Sequence, residues 1–343
     1  MSDQPPTPTG DAQILVPYAT PRLARSLADL ATSIVPYLAL LVLIDVTLGV
    51  SFLLTVALIV LAAGFQVRTF VVFHDCAHGS LFRSRRVNRW VGRFAGLLVL
   101  SPYTRWRHDH AVHHATSGDL ERRGVGDIIT LTVAEYRSRS LRGRLAYRAV
   151  RSPLVMFGIG PIFAMVIGPR IPTRAQRPRM RHSVLSTNGA LVASVAVLCW
   201  LIGWERFLLV WAPAAMLAGA VGIWLFYVQH QFEDAYWQSG EKWSYADAAL
   251  SGSSYLKLPK LLQFFTGNIG LHHVHHLSAR IPNYNLERAH RENAVFHGVP
   301  TLTLLDGLRA THLKLWDQSS RQLITFAQAR RSGRRQPAVS LAG

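Results

Sequence analysis

Four apolar runs restrict this chain more than any other feature. Ser33–Val50 (SIVPYLALLVLIDVTLGV), Ser51–Phe73 (SFLLTVALIVLAAGFQVRTFVVF), Thr187–Trp204 and Phe207–Val228 are each long enough for a helix to cross a hydrocarbon core of roughly 30 Å at about 1.5 Å per residue. Lipid offers no hydrogen bonds, so such runs must satisfy their own backbone groups and fold as helices. Gly49-Val50-Ser51 marks the turn of a first hairpin, and Glu205-Arg206 the junction of a second. The expected fold class is an all-α integral membrane protein with about four transmembrane helices in two hairpins.

Two further apolar stretches are too short or too broken to span. Trp90–Leu100 reads as an interfacial helix, with Trp90 and Trp106 at headgroup level. Pro153–Pro169 is interrupted by Gly158, Gly160 and Pro161 and reads as a half-inserted or interfacial segment. The intervening loops are basic: Lys and Arg number 37 against 19 Asp and Glu, a net charge of +18. The clusters Arg83–Arg86 and Arg170–His182 therefore predict that these loops face the cytoplasm. In a soluble protein such a charge would suggest nucleic acid, but the apolar spans and the lack of a nucleic-acid motif exclude that class. Cys76 and Cys199 form neither a disulfide framework nor a CxxC metal site. The polar, Pro-rich start lacks a signal peptide. The expected organisation is a disordered tail over 1–30, one membrane domain over 31–318 and a basic tail over 319–343, with both termini and the site on the cytoplasmic side of the cytoplasmic membrane.

Histidine is concentrated where these spans end. The second run continues without a breaker into HDCAH, with His74 and His78 four residues apart. His110, His113 and His114 follow in WRHDHAVHH, and His272, His275 and His276 in LHHVHHL, both at spacings i, i+3 and i+4 that put three imidazoles on one helix face. No span separates the first two clusters, and an even number of crossings brings the third to the same side. Eight imidazoles exceed what one tetrahedral ion uses and suggest two metals with four or five nitrogen ligands each. Two irons at a membrane surface suit dioxygen activation. His230, just beyond the last span, is a ninth expected ligand, and Asn268, read as one helical turn before His272, is a possible tenth. His108 and His273 lie off the ligand faces, while His182, His290, His297 and His312 are scattered and carry no expected role. Asp75, Asp109, Glu233 and Asp234 adjoin ligands and could hold their second ring nitrogen, each equally readable as a solvated charge.

The motifs HDCAH, HAVHH and HHVHH, separated by two hydrophobic hairpins, resemble the three histidine boxes of membrane-bound fatty acid desaturases. The wider stretches AHGSLF, HHATSGDLERRGVGDI and NIGLHHVHHLSARIPNYNL resemble the omega-6 (delta-12) acyl-lipid branch, and the resemblance runs from about Ser33 to Trp316. It implies a cytoplasmic di-iron site above a bent acyl tunnel, and a reaction in which O2 and two electrons remove two hydrogens from adjacent methylenes to give a cis double bond. The implied ligands are His74, His78, His110, His113, His114, His272, His275 and His276, with His230 matching the family's additional histidine. The implied substrate is an acyl-lipid or acyl thioester. No His-Pro-Gly-Gly motif of a fused cytochrome b5 is present, so a separate electron donor such as ferredoxin is expected at the basic face. The same boxes serve hydroxylases and ketolases acting on acyl chains, carotenoids or alkanes. A metal-transport protein is the contrasting class, but the spans hold only Asp45 and Arg68 as charges, too few for an ion path.

Overall fold

The computed structural model describes residues 13–173 and 176–335. Helix α1 (Leu23–Thr47) and helix α2 (Phe52–His78) form the first hairpin. Its turn passes through Gly49, whose φ of 84° is left-handed and suits a residue without Cβ. The Ser51 hydroxyl caps α2 by accepting from the Leu54 N–H, and Gly79, also left-handed at φ 73°, ends it directly after His78. Helix α3 (Arg85–Leu98) and helix α4 (Tyr103–Thr116) then pack back onto α2. Gly92 lets α3 approach so closely that a Cβ there would lie 2.2 Å from the Tyr103 ring, which is itself pinned by its hydroxyl donating to the Cys76 carbonyl at 2.7 Å.

Helix α5 (Leu141–Val150) and the segment Leu154–Arg170 meet at a bend of 55° beside Pro153, and the second arm is wound in wide π-type turns. Proline removes one backbone donor and clashes with the preceding turn, which accounts for the break. Helix α6 (Pro178–Ile202) and helix α7 (Trp204–His230) form the second hairpin, with its turn at Gly203, φ 81°, two residues before the expected Glu205-Arg206 junction. Four helices, α1, α2, α6 and α7, are long and apolar enough to cross a membrane, and all four exceed the apolar runs that announce them. The bent pair is a further apolar segment. Large apolar side chains such as Leu53, Leu154 and Trp200 point outward, leaving an apolar surface of the kind hydrocarbon can cover. Arg206 donates to Asp45 through Nε at 2.9 Å and to its carbonyl through Nη2 at 2.8 Å, so both hairpin turns share one end of the bundle. His78 and His230, the last residues of α2 and α7, lie at the other end.

That end carries a cap built largely from the last third of the chain. Helix α8 (His272–Leu277), helix α9 (Asn283–Glu292) and helix α10 (Phe326–Arg335) belong to it. The cap departs from an all-helical reading in two small sheets. Strand β1 (Leu131–Thr132) pairs in parallel with strand β4 (Leu315–Asp317), which pairs antiparallel with strand β5 (Gln322–Ile324); strand β2 (Tyr255–Leu256) pairs in parallel with strand β3 (Thr301–Leu302). Strands of two or three residues joined across long separations leave no periodicity to read.

The tails are also shorter than expected. Residues 1–12 and 336–343 lie outside the described residues. From residue 13 onward the chain is built into the fold: Leu15 and Tyr18 join a core with Leu271, Val274, Leu277 and Leu286, and α1 begins at Leu23. At the other end β5 and α10 occupy residues assigned to the basic tail, with Leu323, Ile324 and Ala329 buried.

Candidate metal centre

Each histidine box sits on a helix end held by its own apolar packing. His74 and His78 occupy the last turns of α2, beside Val72, Phe73 and Cys76 in a core shared with Tyr103. His110, His113 and His114 ride on α4, where the Trp106 indole stacks on the His110 ring at 4.3 Å. Helix α8 consists of the third box itself, and its opposite face, Val274 and Leu277, is buried in the cap core. His230 ends α7.

The nine side chains form two groups, each with its ligand atoms within 4.8 Å of one another: His74, His78, His110, His114 and His275 in one, and His113, His230, His272 and His276 in the other. Nitrogens converge within each group. His114 Nε2 lies 3.2 Å from His110 Nε2 and 3.0 Å from His275 Nε2. His272 Nε2 lies 2.9 Å from His230 Nε2 and 3.1 Å from His276 Nε2, and His113 Nε2 lies 3.2 Å from His230 Nε2. Two nitrogens bound at about 2.1 Å to one cation at right angles would lie about 3.0 Å apart, which matches these separations. Hydrogen bonding alone does not satisfy the groups, because an imidazole Nε2 either donates once or accepts, and buried His78 Nε2 has no partner at all. The residues thus fit a metal in each group.

The outer ring nitrogens fix the tautomers. His113 Nδ1 lies 2.5 Å from the Asp127 carboxylate, and His230 Nδ1 3.2 Å from the Gly252 carbonyl. Both partners only accept, so Nδ1 carries the proton and each Nε2 lone pair faces the group. His74 Nδ1 approaches Asp75 Oδ1 at 3.3 Å. Burial, reinforced by neighbouring imidazoles, holds His110, His114, His272, His275 and His276 well below the usual histidine range. These rings are neutral, the form that binds metal.

The family profile described as Fatty acid desaturase matches residues 51–303. A "Fatty acid desaturase" of Bacillus subtilis (strain 168) is 48% identical over 309 residues, covering 90% of this chain and 88% of that protein. The chain belongs to the fatty acid desaturase family. Two Synechocystis proteins, an "sn-1 acyl-lipid omega-3 desaturase (ferredoxin)" and an "sn-1 oleoyl-lipid 12-desaturase", are each 30% identical over 64% of this chain, covering 62% and 63% of their own lengths. This desaturase is accordingly an oxidoreductase acting on fatty acids.

The remaining histidines and acids of the desaturase sort by position. His108, His182, His297 and His312 are exposed away from both groups, and His273 is buried but pairs with His290 at 3.0 Å. Asn268 does not precede His272 on a helix: it adopts φ 57° in the turn before α8, and its amide donates to the Asn283 carbonyl at 3.1 Å. The helix starts at His272, so the shared helix face that suggested Asn268 is absent. Asp109 pairs with Arg105, and Asp234 accepts from Gln322, so neither serves an imidazole. Sequence reasoning missed Asp127 and Asn283. Asp75 Oδ2 accepts from Asn283 N at 2.7 Å and Nδ2 at 3.0 Å; the same Nδ2 donates to Asp29 at 2.6 Å, and Asp29 pairs with Arg68. This buried chain ties α1, α2 and α9 together behind His74. Asp29 and Asn283 lie far in sequence from Arg68 and Asp75, and the local hint was Asp75 beside His74.

Proposed function

We propose that this desaturase is a di-iron acyl-lipid enzyme that inserts a cis double bond of the omega-6 or delta-12 type, with His74, His78, His110, His114 and His275 holding one iron and His113, His230, His272 and His276 the other. The observation carrying the reading is the division of nine buried or half-buried imidazoles into two convergent groups. The bound irons supply dioxygen activation. In the balanced reaction two adjacent methylenes, O2, two electrons and two protons give a double bond and two waters. The chain's own groups position and insulate that chemistry. Asp127, Asp75 and the Gly252 carbonyl orient the rings. Tyr245 donates to the His276 carbonyl and holds α8 from behind. Near-complete burial of His74, His113, His272, His275 and His276 keeps bulk water off the reacting end of the acyl chain.

Several features support the setting. The Arg83–Arg86 cluster at the histidine end of the bundle supports, through the positive-inside rule, a cytoplasmic setting for the site and both termini at the cytoplasmic membrane. The basic surface suits an acidic electron carrier such as ferredoxin, which the omega-3 relative's name also mentions. The 12-desaturase relative supports an acyl-lipid substrate and the delta-12 position.

The test is expression in a host whose lipids are monounsaturated, beside a His113→Ala/His114→Ala control, with total fatty acids analysed by mass spectrometry. A diunsaturated product that requires the intact histidines is expected, and its fragmentation gives the bond position. Hydroxy or keto products would assign the chain to the oxygenase branch instead.

A further inference from the structure

A second buried polar site lies beside the metal centre. Arg151, at the break after α5, is 2% exposed. Its guanidinium donates to the Ile129 carbonyl at 3.0 Å, the Gln231 side chain at 2.9 Å, the Tyr227 hydroxyl at 3.1 Å and the Leu313 carbonyl at 3.3 Å, while Nε has no partner. Lys314, 4% exposed, directly precedes β4, and its ammonium meets only Tyr227, the hydroxyl at 3.4 Å and the ring centroid at 5.1 Å. That leaves an ammonium with three donors nearly unserved. Burial, with Arg151's charge adding to it, pushes the Lys314 pKa down to about 7.

Both cations open onto one cavity of about 500 Å³, whose wall also includes Arg148, Ser152, His312 and Arg330. Among the described residues no carboxylate pairs with Arg148, Arg151, Lys314 or Arg330. Buried charges ordinarily have partners, and a basic cavity without acids leaves that partner to a ligand. Guanidinium forks and a nearby ammonium match the oxygens of a tetrahedral phosphate better than a lone point charge does. The surroundings of the cavity narrow the source. Pro153, at the bend between α5 and Leu154–Arg170, lines it together with Phe326 and Ala327, and the next residue, Leu154, is 80% exposed, so apolar surface adjoins the cationic wall. A phospholipid presents acyl chains and phosphate in that order.

We propose that this cavity binds a phosphate group, supplied by a phospholipid whose headgroup sits at the bend. The assignment stands apart from the metal chemistry, since none of its lining residues belongs to either histidine group. The test uses the full chain in a neutral detergent, titrated calorimetrically with dihexanoylphosphatidylglycerol, with dihexanoylglycerol of the same chains without phosphate, and with inorganic phosphate. The phospholipid is expected to bind, the diacylglycerol not to, and inorganic phosphate to bind more weakly. Loss of one charge-assisted contact in Lys314→Met should weaken phospholipid binding roughly tenfold or more. The double variant Arg148→Gln/Arg330→Gln, altered only at the more exposed rim, should also weaken it and carries the test if Lys314→Met does not fold. Inorganic phosphate binding as tightly as the phospholipid, with the same losses, would keep the site and assign it to free phosphate. Unchanged phospholipid affinity in the variants, or equal binding of the diacylglycerol, would overturn the proposal.

Discussion

Asp127→Asn isolates one half of the metal centre. The carboxylate accepts from His113 Nδ1 through Oδ1 and from the Gly124 N–H through Oδ2 at 3.3 Å. Asparagine has one acceptor oxygen, so it keeps the buried His113 bond only by turning its amide toward Gly124, at the solvent-facing side. The bond to His113 then changes from charged to neutral, from about 1.5–3 to about 0.5–1.5 kcal/mol. The side chains of His113 and Asp127 are 1% and 8% exposed, so solvent screens little of that difference. A loss of about 1–2 kcal/mol corresponds to roughly 5- to 30-fold in affinity at about 1.4 kcal/mol per decade, within the range expected for groups that orient a metal ligand. Asp127 contacts no histidine of the other group, so the loss should fall on one ion. Iron per chain would be measured by elemental analysis across a series of chelator-buffered free iron(II). Wild type should fill to two, and the variant should show a plateau at one in the intermediate range. A filling curve superimposed on wild type, or both ions lost together, would refute the division into two independently held groups.

Three other outcomes follow from the packing. Asn283→Ala removes both side-chain bonds to the buried Asp75 and Asp29 carboxylates and should cost about 3 kcal/mol or more, read as a lowered melting temperature; a change under about 1 kcal/mol would mean water replaces the amide. Gly92→Ala forces a methyl against the pinned Tyr103 ring and should destabilise by about 1–3 kcal/mol, measured by thermal unfolding of the detergent-solubilised protein. Lys314 has its folded pKa lowered from 10.5 to about 7, with Arg151 and Tyr227 facing the ammonium and Arg148, Arg330 and His312 around the cavity. Between those values the unfolded chain binds more protons, so this residue makes the ligand-free protein more stable as pH rises from 7 toward 10, and Lys314→Met should flatten that slope in melting curves.

The legible parts of this molecule were those written in local periodicity. A run such as Ser51–Phe73 reveals its helix because it stays mostly apolar over a length that can cross lipid, and i, i+3, i+4 spacing carries a ligand face inside one turn. The boundaries were less legible: α1 starts ten residues before its apolar run, because Ser26 and Asp29 are buried by pairing, Ser26 with the Leu81 carbonyl and Asp29 with Arg68 and Asn283. Polar residues buried by distant partners look solvated in sequence. The same reason hid Asp127, separated from His113 by a glycine-rich loop, and Arg151, whose acceptors come from residues 129, 227, 231 and 313. Asn268 misled for the opposite cause, since its spacing from His272 implied a helix that a left-handed turn prevents. The short strands and the segments from residue 13 and up to residue 335 depend on such remote pairing.

The order in which the boxes leave the ribosome has a consequence for maturation. Each histidine group draws ligands from early and late in the chain: His275 completes the group begun by His74, and His276 the one that includes His113. A nascent chain therefore carries the first two boxes through synthesis of both hairpins without either full ligand set, and any truncation before residue 275 leaves both incomplete. On the proposed di-iron reading, metal loading is a late event that follows synthesis of both hairpins, and a cell short of iron would accumulate full-length protein awaiting metal.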